Sequence, residues 1–403
     1  MSPIPMSSPD VAADDIAAVL DALQSSTLSI GPRVTEFERR VASYLRIPYA
    51  AGLSSGTAAL HLAMIAAEVD EDDLVITTPF SFVASANCVL YQRGIPVFVD
   101  VDPLTCNIDP TLTAETVASL VSGRGDGPSA RARFRRRGSP KAILPVHAFG
   151  QPADMDPIMA AARCAGLAVI EDACEAIGAE YKGRRAGTFG DAAAFAFYPN
   201  KQITTGEGGM VVTRHEDWDQ LVRSLRNQGR DVFDSWLTHS RLGYNYRLDE
   251  LSAALGASQV ARLDEILASR ERVAGWYSAR LRHEEDLLRV PFTAATTTRM
   301  SWFVYVIQLN PTVDRGALMV TLEEAGIPTR PYFSPIHLQP FYVERFGYRR
   351  GDFPVAERLG DTCLALPFST RMSEAQVDYV CAQVRSAVRE QVTGQRIAVW
   401  QGV

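Results

Sequence analysis

Between residues 74 and 213 the chain alternates short, continuously apolar runs with helical stretches. The runs lie at 74–77, 96–99, 142–146, 167–171, 192–197 and 210–213, and helices such as 81–92 and 154–165 fall between them. A strand that is apolar at every position is buried on both faces, and intervening helices supply the cover. The pattern therefore predicts an α/β fold with a mostly parallel central sheet. At 403 residues the chain exceeds one ordinary core and should form about two domains. Upstream, Ser8-Pro9-Asp10 reads as a helix start, with Val11, Ile16, Val19, Leu20 and Leu23 at helical spacing. A second amphipathic helix carries Val34, Phe37, Val41 and Leu45. After Arg247 the texture changes: a helical pattern over 249–268, a second helix ending near Arg282, a strand at 302–309 and two further helical stretches. The expected division is a large α/β domain over 1–259 and a smaller α+β domain over 260–403.

Composition narrows the function. Apolar residues at 47% and charged residues at 22% are ordinary for a globular protein. No apolar run reaches the roughly 20 residues of a membrane span, and the first residues lack a secretory signal pattern. A soluble, cytoplasmic protein is expected. The net charge of −7 speaks against non-specific nucleic-acid binding. The six cysteines, Cys88, Cys106, Cys164, Cys174, Cys363 and Cys381, lack metal-site or framework spacing, so buried free thiols are expected. Residues 122–140 hold six arginines and four glycines. They read as a solvated surface loop in preference to an anion-attracting flap over a phosphate-bearing substrate.

Lysine is scarce: Lys141, Lys182 and Lys201 are the only three among 40 basic residues, which leaves 37 arginines. Lys201 follows a strand and precedes the glycine-rich turn Thr204-Thr205-Gly206-Glu207-Gly208-Gly209. A lysine so placed can lose its proton and form a Schiff base with an aldehyde. Lys141 and Lys182 read as surface residues. In Ser54-Ser55-Gly56-Thr57-Ala58-Ala59-Leu60, small residues open a helix whose free N–H groups form a phosphate cradle. Ile170-Glu171-Asp172-Ala173-Cys174-Glu175 ends a buried strand, where ligands of parallel sheets sit. Asp172 there reads equally as a helix cap or as the partner of a cationic ring nitrogen. A fourth segment, Leu242-Gly243-Tyr244-Asn245-Tyr246-Arg247-Leu248, leads into the long helix.

In this order and spacing the four segments resemble the DegT/DnrJ/EryC/StrS family of pyridoxal-phosphate (PLP) sugar aminotransferases. The likeness extends more loosely to Arg330-Pro331-Tyr332-Phe333-Ser334-Pro335-Ile336-His337. It implies a PLP-dependent transferase of fold type I. Its action would be to move an amino group, from glutamate, to a keto group on a nucleotide-activated sugar. By the resemblance, Lys201 holds the cofactor, Asp172 pairs with its ring nitrogen and Phe80 stacks on the ring. Gly56 and Thr57 donate to the phosphate, Glu175 stands beside the 3-hydroxyl, and Asn245 reaches the phosphate of the partner subunit's site in a homodimer. Arg330, Tyr332 and His337 fall where the family lines its substrate entrance. Two positions depart from the family pattern: Ala196 replaces a phosphate-binding serine, and Glu175 replaces Gln or His.

A sugar dehydratase on the same scaffold has histidine in place of the lysine, which Lys201 opposes. A non-catalytic relative is suggested only by Ala196 and Glu175, and a keto-cyclitol acceptor is a substrate variant. His61 reads as packing. His147 stands evenly between packing and support of the site. His215, His239 and His283 read as surface residues.

Overall fold

The computed structural model describes residues 4–123, 138–231 and 238–392. Most of the arginine-rich stretch, residues 124–137, lies outside them. The chain opens with helices α1 (Ala13–Gln24) and α2 (Pro32–Leu45). There follow β1 (Tyr49–Leu53), α3 (Gly56–Ala66), β2 (Leu74–Thr77), α4 (Ala84–Tyr91), β3 (Ile95–Phe98), α5 (Pro110–Val121) and β4 (Pro140–Ile143). Next come α6 (Met155–Ala165), β5 (Ala168–Asp172), the small strands β6 (Glu180–Tyr181) and β7 (Arg184–Arg185), β8 (Ala192–Ala196), β9 (Gly209–Thr213) and α7 (Glu216–Arg226). The order β1-β9-β8-β5-β4-β2-β3 makes a seven-stranded sheet. The pairs β3–β2, β2–β4, β4–β5 and β5–β8 are parallel, and β9 runs antiparallel to β8 and β1.

Why the strands are apolar throughout is visible in the packing. Ala192, Ala194, Val211 and Ile170 face a layer built from α3, α4 and α7. Their neighbours Ala193, Phe195, Met210 and Val212 face α2 and α8 (Glu250–Ala261), and Val169 and Ile143 face α5 and α6. Both faces are covered, so apolar side chains fill both positions of the two-residue period except at strand ends such as Glu171 and Asp172, whose carboxylates are hydrogen-bonded.

The packing passes to a second core within α9 (Leu263–Leu281). Leu263, Ile266 and Leu267 belong to the core under α2. Val273, Ala274, Tyr277 and Leu281 belong to one shared with the antiparallel strands β10 (Leu288–Arg289), β12 (Tyr305–Leu309) and β13 (Cys363–Leu366). The remaining strand, β11 (Thr297–Arg299), pairs back with β6. Among the described residues four helices follow β12, where two were expected: α10 (Arg315–Glu324), α11 (Pro340–Phe346), α12 (Pro354–Thr362) and α13 (Glu374–Val392).

Three further differences have local causes. The first helix starts at Ala13, because the buried Asp15, held by Gln259 and Arg262, accepts the Ala12 N–H (2.8 Å). Strand β1 was not anticipated, since Tyr-Ala-Ala-Gly-Leu lacks β-branched residues. Cys164 is exposed, whereas Cys88, Cys363 and Cys381 are buried as expected.

Candidate active site

Lys201 leaves β8 through Phe197–Asn200 in a turn closed by its own N–H on the Tyr198 carbonyl (2.9 Å). Its side chain is only 13% exposed. Nζ lies 3.5 Å from Glu175 Oε1 and 3.8 Å from the centre of the Phe303 ring. Two groups the sequence had not singled out hold this turn. The buried Arg270 guanidinium of α9 donates to the Lys201 carbonyl (2.8 Å) and to the Trp302 and Phe303 carbonyls (3.0 and 3.2 Å). Burial lowers its pKa to about 10. Gln202 donates to the Glu175 carbonyl (2.5 Å) and to Ser301 Oγ (2.8 Å).

Asp172 is the last residue of β5, and neighbouring donors fix its carboxylate. Ser85 Oγ donates to Oδ2 (2.6 Å) and the Cys174 N–H to Oδ1 (3.1 Å). Glu175, one turn further, is buried, and its Oε2 accepts the Phe149 N–H (2.9 Å). Burial pushes its pKa up against the opposing pull of Lys201. Glu175 therefore points toward Lys201, not away from it. His147 proves to be support for a different acid. Its Nδ1 accepts the Ala153 N–H (3.0 Å), leaving Nε2 to face Glu171 Oε2 (2.9 Å). Burial alone would raise the Glu171 pKa. The bond to His147 and the N–H groups of Gly190 and Gly187 outweigh it and hold the carboxyl below the usual range.

The start of α3 closes against the same strand ends. Ser55 caps it by accepting the Ala58 N–H (3.1 Å). The N–H groups of Gly56 and Thr57, first in the helix, have no intrahelical acceptor. A Cβ on Gly56 would lie 2.6 Å from the Ala196 Cβ and 3.0 Å from Cys174 Sγ. A Cβ on Gly209 would lie 2.2 Å from the Ser55 carbonyl oxygen. Glycine at both positions lets the helix start reach the strand ends. Phe80 is fully buried, edge-on to Phe149 and Phe333 (ring centres 6.1 and 5.8 Å apart).

The predicted substrate residues separate. Tyr332 is half-buried and stacks on Phe333 (4.9 Å), and burial and then Glu175 raise its pKa. Arg330 is exposed and donates to the Thr329 carbonyl (2.8 Å). His337 departs from expectation: it is fully buried, 3.0 Å from Glu357 and edge-on to Phe353, so it faces a packed interior and not an entrance. Asn245 is exposed and bridged through its backbone to Asn227. His61 is packing, among Tyr91, Tyr244 and Tyr246. His215, His239 and His283 are exposed, and Lys182 pairs with Asp156 (2.6 Å).

A pair of free N–H groups, a fixed carboxylate and a sheltered amine suit the phosphate, ring nitrogen and aldehyde of PLP. No helix among the described residues is long and apolar enough to cross a membrane.

Comparison with known proteins agrees. A GDP-perosamine synthase of Caulobacter vibrioides is 38% identical over 367 residues, 90% of this chain and 92% of that one. A UDP-N-acetyl-3-dehydro-alpha-D-glucosamine 3-aminotransferase of Acidithiobacillus ferrooxidans is 36% identical, over 90% of each chain. The crystal structure of S. venezuelae DesV with a ketimine intermediate superposes with a TM-score of 0.84 at 30% identity, covering 96% of this chain and 99% of that one. The family model matches residues 9–385, and the chain belongs to the DegT/DnrJ/EryC1/StrS aminotransferase family, whose members use pyridoxal phosphate on a fold of type I.

Proposed function

We propose that this chain transfers an amino group, drawn from glutamate, to a keto group of a nucleotide-activated sugar. The observation that carries this reading is the meeting of Lys201, Asp172, Glu175 and the open start of α3 at one sheet edge. Relatives that act on GDP- and UDP-linked sugars supply the acceptor class.

Bound in this site, pyridoxal phosphate supplies an electron sink beside the carbon that gains or loses a proton. The protein's share is to hold, orient and shield. The Gly56 and Thr57 N–H groups take the phosphate, aided by the helix dipole. Asp172, its carboxylate fixed by Ser85 and the Cys174 N–H, would pair with the ring nitrogen, and Phe80 would pack against the ring. Lys201 Nζ would hold the cofactor's aldehyde carbon and would serve as the base that takes up and returns the substrate proton. Glu175 sits close enough to share that proton. Phe303, its ring centre 3.8 Å from the amine, keeps water from it. Tyr332 and Arg330 receive the substrate from the mouth of the site. Two subunits complete each site, Asn245 of one serving the phosphate of the other, and the enzyme works in the cytoplasm.

Reduction of the holoenzyme with borohydride should fix the cofactor to Lys201, read by peptide mass mapping. Lys201→Ala should lose both the adduct and transamination of nucleotide keto-sugars. An adduct on Lys141 or Lys182 would overturn the assignment.

A further inference from the structure

Four arginines line a cavity of about 400 Å³ at the sheet edge opposite Lys201. Arg46 caps the end of α2, Arg184 and Arg185 form β7, and Arg214 directly follows β9. Ala196 ends β8 on the Lys201 side. Ala192, at the other end of β8, pairs with Thr213, the neighbour of Arg214. Four steps of strand at about 3.3 Å each place the two sites roughly 13 Å apart or more.

The charges of the cavity do not balance. Glu180 is its acidic residue and lies 4.0 Å from Arg185, whose guanidinium also covers the Tyr44 ring at 3.7 Å. Arg184 donates Nε to Thr188 Oγ1 (3.1 Å) and stacks on Phe189 (4.3 Å), and neither neighbour is an anion. Burial and the nearby Arg214 charge push Arg184 below the usual arginine range, against a smaller opposing pull from Glu171. Arg46 and Arg214 are exposed and form no ion pair among the described residues. Three cations thus face one concavity without an acidic contact, in a chain of net charge −7.

Like charges gathered in a concave site repel one another and focus a positive potential into it. An anion relieves both effects, and guanidinium forks match phosphate oxygens in pairs. Three cations without an acidic contact call for more charge than one phosphate carries, and the cavity has room for a longer ligand. We propose that this cavity is a second binding site for a polyphosphate, the diphosphate-type oxyanion that nucleotides also carry, separate from the candidate active site.

The test is calorimetric titration of PLP-loaded enzyme with inorganic pyrophosphate and, separately, with GDP, at low salt. Arg46→Ala with Arg214→Ala removes two side chains that hold no partner, so the fold should persist, and circular dichroism checks that it does. Pyrophosphate affinity should fall about tenfold or more in this double variant. It should stay unchanged in Arg330→Ala, at the mouth of the active site. Tighter binding of GDP than of pyrophosphate, lost in the double variant, assigns the ligand as a nucleotide. Equal affinities assign it as polyphosphate alone, and either result supports the site. Equal pyrophosphate affinity in wild type and double variant, or a loss confined to Arg330→Ala, overturns it. The single variant Arg214→Glu gives an independent reading: charge reversal should abolish binding.

Discussion

A carboxyl group beside an amine in a buried pocket has two ways to avoid an unpaired charge: share the amine's proton or keep its own. Glu175 is placed to do either, 3.5 Å from Lys201 Nζ and held by the Phe149 N–H. Its pKa is raised chiefly by burial, so the folded chain holds a proton that the unfolded chain has already released. Stability from this group is therefore present at low pH. It is lost as pH rises from the ordinary Glu value of 4.5 to the raised folded value. Glu175→Gln keeps the shape and removes the titration. Thermal melts of the cofactor-free protein should show that loss in wild type and not in Glu175→Gln, which should be the more stable above the window. Parallel pH profiles would refute the account.

At this scale the sequence shows some parts of the site and hides others. Lys201 stands out because two other lysines are its only rivals, and Asp172 because a carboxylate ends an apolar strand. Arg270 and Phe303 give no such signal. One is an arginine among 37 and the other one of 17 phenylalanines, and only the tertiary packing puts them on Lys201. His337 misleads for the same reason: its segment lies near Phe80, but its ring turns toward Glu357.

At the scale of elements, the sheet is legible because burial on both faces leaves an unbroken apolar run in each central strand. β1 escapes because Tyr-Ala-Ala-Gly-Leu has no β-branched residue, whereas the close approach of α3 is to the ends of β8 and β9. That closeness is the cradle's main structural demand. An added methyl at Gly56 meets the Ala196 Cβ at 2.6 Å and Cys174 Sγ at 3.0 Å. The Ala196 side can yield only by moving β8, so overpacking should cost about 1–3 kcal/mol. Gly56→Ala should lower the melting temperature of the cofactor-free protein and weaken PLP retention on dialysis. Unchanged melting and retention would mean that α3 has slack at its start. Ala196, a departure from the family pattern, fits this packing: its small side chain already touches the space Gly56 leaves open.

For the whole molecule, several large apolar side chains stand in the open. Ile16, Leu20 and Leu23 are each more than half exposed on one face of α1, and Phe82 on the loop before α4 is 61% exposed. An apolar stripe along one helix face, as Ile16, Leu20 and Leu23 form on α1, is what an interaction face offers. Asn245 is exposed on the segment whose Tyr246 carbonyl accepts the Ser54 N–H (2.9 Å), beside the cradle. A homodimer in which Asn245 crosses to the partner's phosphate accounts for both observations. Subunit exchange tests it. One parent carries Lys201→Ala and is inactive; the other carries Asn245→Asp, which sets a negative charge beside a dianionic phosphate and weakens its hold. In the mixed dimer one site has both lesions. The other joins an intact Lys201 to an intact Asn245. If exchange is random, half the dimers are mixed and each has one sound site, so activity should recover to roughly a quarter of wild type. Mixed dimers shown to form, for example by native mass spectrometry of differently tagged chains, but without recovery would place Asn245 in its own subunit's chemistry or in none.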